Sequence, residues 1–321
     1  MPNWTIADIP PQAGRLAIVT GATGGLGYET ALELARAGAE VVLVGRSDEK
    51  GSAALQRILS QLPSTQKSGA QLRFEKADLA SLASVRAFTG RMLAEGRPID
   101  LLVNNAGVML PPARRTTSDG FELQMGTNYL SHFAMTEQLL PLLRRDKSAG
   151  AHVSSAQTRV VNVSSLAHRS GSIHFDDMQY ERRYIPWLAY GQSKLAMLMF
   201  SFELQRRSGA NGWGLMSSAA HPGYARTDLM ANGPGEHSLL ARISRVFSPW
   251  ISQTAAAGAL PILFAATSAD AQPAGYYGPD GFQELKGAVA AARIATKAKD
   301  AAVARRLWEV SEQLTGVCWP G

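Results

Sequence analysis

Thr20-Gly21-Ala22-Thr23-Gly24-Gly25-Leu26-Gly27 follows the apolar run Leu16-Ala17-Ile18-Val19 and opens into residues 28–38. The apolar run is typical of a short buried strand, and the spacing of Leu and Ala after the turn predicts a helix that ends at Gly38. A strand, a glycine-rich turn and a helix direct backbone N–H groups and the positive end of a helix dipole to one point. Such a point attracts a pyrophosphate, but this stretch alone leaves a plain tight turn as the alternative.

The segments that follow alternate between apolar strands and helices. We predict strands at 40–45, 71–76, 99–103, 159–163 and 214–220, with helices at about 48–62, 81–96, 119–145 and 186–207. This order predicts an α/β fold with a single doubly wound parallel sheet, whose ligands bind beyond the carboxyl ends of the strands. We expect one domain over 1–321, with a core at about 14–280 and a C-terminal extension at about 281–321 that carries an amphipathic helix at 301–314.

Composition and charge narrow the class of protein. The chain has 321 residues, of which 45% are hydrophobic and 18% are charged, enough for a sizeable core. Its net charge is +6, but the basic residues are scattered, so we expect no nucleic-acid partner. Cys318 is the only cysteine, which excludes a disulfide framework and a cysteine metal cluster.

The sequence predicts no membrane span. The longest uncharged window, 246–269, is interrupted by Pro249, Gln253, Gly258 and Pro261, so a core or interface helix explains it better. The first 14 residues lack the charged-then-apolar pattern of a signal peptide. We therefore expect a cytoplasmic protein, and the sequence leaves a homo-oligomer open.

Tyr190 and Lys194 stand four positions apart in the helix predicted to begin near Pro186. Residues four apart share a helix face, so the phenol and the ammonium can point to one place. A nearby ammonium favours phenolate, so we expect a lowered pKa for Tyr190 and a phenol that acts as an acid or base near neutral pH. A chance pair is the alternative.

A set of motifs in a fixed order resembles the short-chain dehydrogenase/reductase family over about residues 14–280. The set is Thr20–Gly27, Asn104-Asn105-Ala106-Gly107, Ser165, Tyr190 with Lys194, and Pro222-Gly223. The segment 161–168 further resembles the retinol-dehydrogenase and carbonyl-reductase-like branch. The resemblance implies a Rossmann fold and reversible hydride transfer between NAD(P)(H) and an alcohol or carbonyl.

The resemblance also implies four catalytic residues. Tyr190 passes the proton to or from the substrate oxygen, and Lys194 lowers the pKa of Tyr190 and binds the nicotinamide ribose. Ser165, rather than Ser164, donates a hydrogen bond to the substrate oxygen. Asn128 holds a water that links Lys194 to solvent. From residue type alone, Ser165 is a turn residue or cap and Asn128 a local hydrogen-bonder.

The cofactor contacts implied by the resemblance lie at the carboxyl ends of the strands. Asp78 accepts from the adenine amino group with Leu79 beside the ring, although Asp78 has a helix cap as its alternative role. Thr227 reaches the carboxamide or phosphates. The full set is Gly21, Thr23, Gly24, Gly25, Leu26, Gly27, Arg46, Ser47, Asp78, Leu79, Asn105, Ala106, Gly107, Tyr190, Lys194, Pro222, Gly223 and Thr227.

The residues at the end of the second predicted strand distinguish NADP(H) from NAD(H) as the expected cofactor. An NAD site needs an acidic side chain there for the ribose 2′-hydroxyl. This chain has Gly45, followed by Arg46 and Ser47, which suit a 2′-phosphate and predict NADP(H). An exposed arginine at the start of a helix is the alternative. His221 is a candidate metal ligand or general base. However, no second histidine or carboxylate stands at metal-ligand spacing from it, so we expect a structural histidine and no metal site.

These features predict an NADP(H)-dependent carbonyl reductase or alcohol dehydrogenase for a bulky, mostly apolar small-molecule ketone, aldehyde or alcohol. We expect Met109, Trp187, Leu229 and Met230 to contact the substrate, under a lid formed by about 224–250. One alternative is that these side chains only pack the loop onto the domain, and another is that basic residues in the lid select an anionic substrate. A steroid-, retinoid- or protochlorophyllide-directed oxidoreductase is the second choice. A catalytically silent NADP-sensing regulator is a third, but it would not need Ser165, Tyr190 and Lys194 together.

Overall fold

Eight strands form one sheet in a computed structural model that describes residues 3–67, 69–144, 157–225 and 253–320. Their order is β3-β2-β1-β4-β5-β6-β7-β8. Neighbours pair in parallel except β7 with β8, which pair antiparallel. The strands are β1 Leu16–Thr20, β2 Glu40–Gly45, β3 Leu72–Lys76, β4 Leu101–Asn104, β5 Thr158–Val163, β6 Leu215–Ala220, β7 Tyr276–Pro279 and β8 Val289–Ala291. The predicted doubly wound sheet is confirmed.

Helices cover both faces of this sheet. They are α1 Gly25–Arg36, α2 Asp48–Gln61, α3 Ser64–Lys67, α4 Leu82–Glu95, α5 Leu123–Met125, α6 Ser131–Gln138, α7 Leu140–Leu143, α8 Pro186–Asn211, α9 Ala255–Thr267 and α10 Ala301–Thr315. Side chains alternate across each strand, so Ile18 packs in the cluster with α4, α6, α8 and α10, whereas Val19 packs with α1, α2 and α9. None of the helices within the described ranges is long and apolar enough to cross a membrane.

Local sequence sets the helix ends that were predicted best. Ser81 caps α4 by accepting from Ser84 N, and Gly96 follows the helix with φ 65°. Ser47 caps α2 by accepting from Lys50 N at 3.2 Å. Serine at the start and a left-handed glycine at the end satisfy backbone groups that a helix leaves unpaired.

The long helix predicted at about 119–145 is helical from Leu123 to Leu143, but it begins later than expected and is not a regular α-helix throughout. The Glu122 carboxylate accepts from the backbone N–H groups of Gln124 and Met125, so the helix begins at Leu123. A π-helix then spans Gly126–Leu130 before α6 begins. Within it, the carbonyl of Asn128 accepts a hydrogen bond from the His132 ring at 2.9 Å. Single π-helical turns of this kind occur inside α-helices, and apolar spacing does not signal them.

The C-terminal extension is part of the sheet and of the core. Its β8 pairs with β7 at the sheet edge, and Trp308 of α10 is 1% exposed. The Trp308 ring contacts Phe133 of α6 edge-to-face, with 5.0 Å between ring centroids. Removing the extension would therefore expose the helix layer that supports α8.

Candidate active site

The helix α8 carries Tyr190 and Lys194 to the carboxyl end of β5. Tyr190 is 8% exposed and Lys194 is 5% exposed. The Lys194 ammonium lies 5.8 Å from the centre of the Tyr190 ring and donates to the carbonyl of Val163, the last residue of β5, at 2.9 Å. The predicted pair therefore shares one buried face at the carboxyl edge of the sheet.

Burial, rather than the neighbouring ammonium, dominates the acidity of this pair. Burial raises the pKa of Tyr190 to about 12, although the hydrogen-bonding side chain of Ser165 opposes the rise. Burial also lowers the pKa of Lys194 to about 8. The expected lowering of the Tyr190 pKa is therefore wrong, because moving a charge out of water disfavours both the phenolate and the ammonium.

The two serines after β5 have different contacts. Ser164 is 2% exposed and donates from its hydroxyl to the main-chain carbonyl of Lys194 at 2.8 Å. Ser165 accepts from Ala167 N at 3.2 Å as the cap of a 3-10 turn at Leu166–Arg169. Ser164 thus joins β5 to α8, whereas Ser165 is a cap whose hydroxyl also lies beside the Tyr190 phenol.

Asn128 connects the loop after β4 to α8. Its side-chain amide donates to Val108 O at 3.1 Å and to Ser193 Oγ at 2.9 Å, and its oxygen accepts from Val108 N at 2.7 Å. This supports the local hydrogen-bonding alternative, and the water-holding role stays a prediction. A Cβ at Gly107 would lie 3.0 Å from the Asn128 oxygen and 3.6 Å from the Lys194 nitrogen. The loop after β4 therefore requires a small residue where it passes these two side chains.

The glycine-rich turn interlocks with the loop after β4. Gly21 has φ 66°, and a Cβ there would lie 2.9 Å from Ala106 Cα. A Cβ at Gly27 would lie 2.5 Å from the Asn105 amide nitrogen, which donates to the carbonyl of Thr20 at 2.8 Å. The glycine-rich turn, residues 21–27, forms what we call the glycine cradle. The helix α1 begins after Gly24 without a side-chain cap, so its first N–H groups face this cradle. Such a cradle fits the pyrophosphate of a dinucleotide.

The predicted nucleotide-selecting residues lie at the ends of β2 and β3. Arg46 is exposed, and a Cβ at Gly45 would lie 2.8 Å from a methyl carbon of Thr23. Asp78 accepts from Ala80 N at 2.9 Å. Because Ser81 is the cap of α4, the helix-cap alternative for Asp78 is wrong. Leu79 is 6% exposed and packs in the core, so its contact with an adenine ring stays a prediction.

The loop after β6 closes the cradle from the other side. Gly223 has φ 62°. A Cβ at Gly258 of α9 would lie 2.8 Å from a Leu26 methyl carbon and 3.2 Å from the Pro222 Cβ, so α9 brings this loop against the glycine-rich turn. The predicted contacts Thr227, Leu229 and Met230, with nearly all of the expected lid, lie outside the described residues.

Two predicted substrate residues are described. Trp187 is 48% exposed, and its ring lies 6.2 Å from the Tyr190 ring. Met109 is half-buried in the loop after β4. An exposed aromatic ring therefore lies beside the Tyr190 ring.

Sequence reasoning missed two buried side chains that hold the site. His132 is fully buried and joins the Asn128 carbonyl to the Thr20 hydroxyl, each at 2.9 Å. Gln124 accepts from Leu110 N at 2.9 Å and donates to Pro186 O at 3.1 Å, which ties the loop after β4 to the start of α8. Their signal in the sequence is a polar residue within an apolar helical stretch, which is weak evidence by itself.

Comparison with known proteins identifies relatives that belong to one family. The sequence pattern of the family described as short chain dehydrogenase matches residues 15–236. Retinol dehydrogenase 12 of Mus musculus is 39% identical over 95% of this chain and 88% of its own length. Polyprenol dehydrogenase of Mus musculus is 38% identical over 96% of this chain and 86% of its own length.

Solved structures agree with the sequence relatives. A protein from Mycobacterium paratuberculosis has a TM-score of 0.77 and 39% identity, covering 99% of this chain and 100% of the other. The Pseudomonas aeruginosa RhlG/NADP active-site complex has a TM-score of 0.60 and 27% identity, covering 82% of this chain and 93% of the other. Both the matched sequence pattern and the shared sheet thus place this chain in the short-chain dehydrogenase/reductase family of oxidoreductases, in its retinol-dehydrogenase-like branch.

Proposed function

We propose that this chain is an NADP(H)-dependent oxidoreductase that interconverts a bulky, mostly apolar ketone or aldehyde and the matching alcohol. The observation that carries the proposal is the buried Tyr190–Lys194 pair beside Ser165, at the strand edge that also holds the glycine cradle. An NADP sensor would need the cradle but would have no use for the three polar side chains gathered there.

Arg46 and the glycine-rich turn support NADP(H) as the cofactor, whose nicotinamide supplies or accepts the hydride. No hydrogen bond or ion pair joins the Arg46 side chain to another described residue. A guanidinium with free donors suits a 2′-phosphate. The RhlG relative, whose structure is an NADP complex, adds support from a related chain.

Each catalytic side chain has a role that follows from its contacts. With a pKa of about 12, the Tyr190 phenol is protonated near neutral pH and can donate a proton to the substrate oxygen during reduction. Ser165 supplies a second donor to an oxygen that becomes alkoxide-like. The Lys194 ammonium has three N–H donors and one described acceptor, Val163 O. It therefore retains donors for the nicotinamide ribose hydroxyls.

The surface beside Tyr190 supports an apolar substrate. Trp187 presents an aromatic face near the phenol, and Met109 adds an adaptable apolar side chain to the loop after β4. The mouse relatives are named for retinol and polyprenol, which supports an apolar alcohol or its carbonyl. A small-molecule substrate, the absence of a nucleic-acid partner and a cytoplasmic location remain proposals from the sequence.

Substitution of Tyr190 by phenylalanine tests this function directly. The change removes one hydroxyl and keeps the ring, so turnover of ketones in a panel of carbonyls should fall on the order of 10²–10⁴-fold or more. NADPH affinity, measured by fluorescence titration, should stay near that of the parent. Tyr180→Phe is the matched control, because the buried Tyr180 hydroxyl has no hydrogen-bond partner among the described residues. Near-parental turnover by Tyr190→Phe would contradict the proposal.

A further inference from the structure

We propose that Glu284, in the C-terminal extension, is a positioning residue that holds two active-site loops in one arrangement and thereby sets cofactor affinity. The loops are the Ser165 turn, residues 164–171 after β5, and the Pro222 loop, residues 221–225 after β6. The link to cofactor affinity rests on the proposed function. The clamp between the loops stands on the geometry alone.

The Glu284 carboxylate contacts both loops at once. It is buried, with 7% of the residue exposed. One carboxylate oxygen accepts from the Arg169 guanidinium at 2.6 Å and from the His221 ring at 3.0 Å. The other oxygen accepts from Arg293 N at 3.0 Å. Arg169 ends the turn that Ser165 begins, and His221 directly precedes Pro222.

His221 transmits the position of the carboxylate to the Pro222 loop. Its Nδ1 accepts from Gly223 N at 3.1 Å, so the ring proton lies on Nε2 and is donated to Glu284. His221 is 0% exposed, and a Cβ on the adjacent Gly278 would collide with its ring. The imidazole is therefore fixed on one side by β7 and on the other by Glu284.

The backbone around Glu284 also contacts the Pro222 loop. Tyr224 N donates to Leu285 O at 2.8 Å, and a Cβ on Gly223 would lie 3.0 Å from Glu284 O. Glu284 itself has φ 59°, a left-handed conformation that is unfavourable for a residue with a Cβ. Such a conformation persists where the surroundings fix it, and here four hydrogen bonds at the carboxylate and at Leu285 do so.

A second contact from the same part of the chain reaches the Ser165 turn. The His168 ring nitrogen Nδ1 lies 2.7 Å from Ser165 O and 3.3 Å from the Tyr276 hydroxyl. Its Nε2 accepts from Ala295 N at 3.4 Å. Residues from β7 and from the segment after β8 thus support the turn that presents Ser165 to Tyr190.

Hydrogen exchange of Glu284→Gln tests the clamp without relying on turnover. Glutamine keeps the shape, but its amide nitrogen replaces one of the two acceptor oxygens and the charge is lost. We expect amide exchange in residues 164–171 and 221–225 to rise roughly 10- to 150-fold, the range that corresponds to the loss of a hydrogen bond to a charged group. NADPH affinity, measured by fluorescence titration, should fall by about 10-fold or more.

Asp300→Ala is the matched control for general damage to the C-terminal segment. It removes the cap that accepts from the Ala302 and Val303 N–H groups of α10, and no hydrogen bond described for Asp300 reaches either loop. It should loosen α10 while leaving exchange in the two loops unchanged. Arg169→Gln is a second test variant, which breaks the ion pair but keeps the His221 contact, and it should raise exchange in 164–171 alone.

The outcomes separate the clamp from the proposed activity. Unchanged loop exchange in Glu284→Gln, or the same loop response in Asp300→Ala, would overturn the clamp. If Glu284→Gln does not fold, unchanged exchange of 164–171 in Arg169→Gln overturns it instead. If the parent binds no NADPH while the loops loosen as expected, the proposed function fails and the clamp stands.

Discussion

Replacing Lys194 by methionine should change how the stability of the protein depends on pH. Lys194 is 5% exposed, and burial lowers its pKa from 10.5 to about 8. Each unit of pKa shift corresponds to about 1.4 kcal/mol, so keeping this amine charged in the folded state costs roughly 2–4 kcal/mol below about pH 8. Methionine has a similar length and no charge, so the variant avoids this cost.

The sign of the effect follows from proton binding. Between about pH 8 and pH 10.5 the unfolded chain binds the Lys194 proton more strongly than the folded chain, so the stability of the parent rises with pH. The advantage of Lys194→Met over the parent should therefore shrink by roughly 2–4 kcal/mol across this window. The variant also leaves Val163 O without its described donor. That loss is the same at every pH, so it cancels when the stability difference between variant and parent is compared at two pH values.

Urea unfolding of both proteins at a series of pH values measures this difference. Other groups that titrate in the window contribute equally to parent and variant, so only the Lys194 contribution remains. Lys50→Met, which removes an exposed ammonium, controls for the loss of one positive charge. A stability difference that stays constant from about pH 7 to pH 10 would refute the desolvation of Lys194. Lower catalytic activity of a more stable variant would show that the site retains a destabilising charge for function.

Two further substitutions test the proposed binding sites. Arg46→Ala should weaken NADPH binding by roughly 10- to 150-fold and leave NADH binding unchanged, because only NADPH carries the 2′-phosphate; equal affinities of the parent for the two cofactors would contradict this. Trp187→Ala should raise KM for large apolar ketones more than for small ones, because the exposed ring lies beside Tyr190. Steady-state kinetics measure this difference. The apolar pocket would be rejected if only small charged carbonyls reacted and Trp187→Ala left their KM unchanged.

The sheet and the candidate site were predicted from local and periodic signals. Apolar runs such as 16–19 and 40–45 form β1 and β2, because a buried parallel strand is apolar on both faces. Carboxyl ends of parallel strands lie at one edge, which brings Gly21, Ser165 and Gly223 together. The four-residue spacing placed Tyr190 and Lys194 on one helix face, but spacing carries no measure of burial. The direction of the Tyr190 pKa shift was therefore predicted wrongly.

Contacts between distant segments account for most of what the sequence did not reveal. Glu284 is 115 positions from Arg169 in the chain, and neither residue type indicates such a partner. His132 and Gln124 stand in helical stretches, where their hydrogen bonds to Thr20 and Leu110 depend on the tertiary packing of other loops. Polar residues of this kind become recognisable only when the structure shows which unpaired backbone groups surround them.

The place of Glu284 nevertheless follows from the topology. The strand β7 runs parallel to β6, so it ends at the same edge as the strands that present Ser165 and Pro222. The strand β8 returns antiparallel to β7, so the connection between them, residues 280–288, has to lie at that edge. A chain that reverses there delivers side chains to the site, whereas a further parallel crossover would have carried the segment to the opposite edge. Gly278-Pro279-Asp280-Gly281 is the turn-rich sequence that marks this reversal, and it makes the C-terminal extension a structural part of the candidate active site.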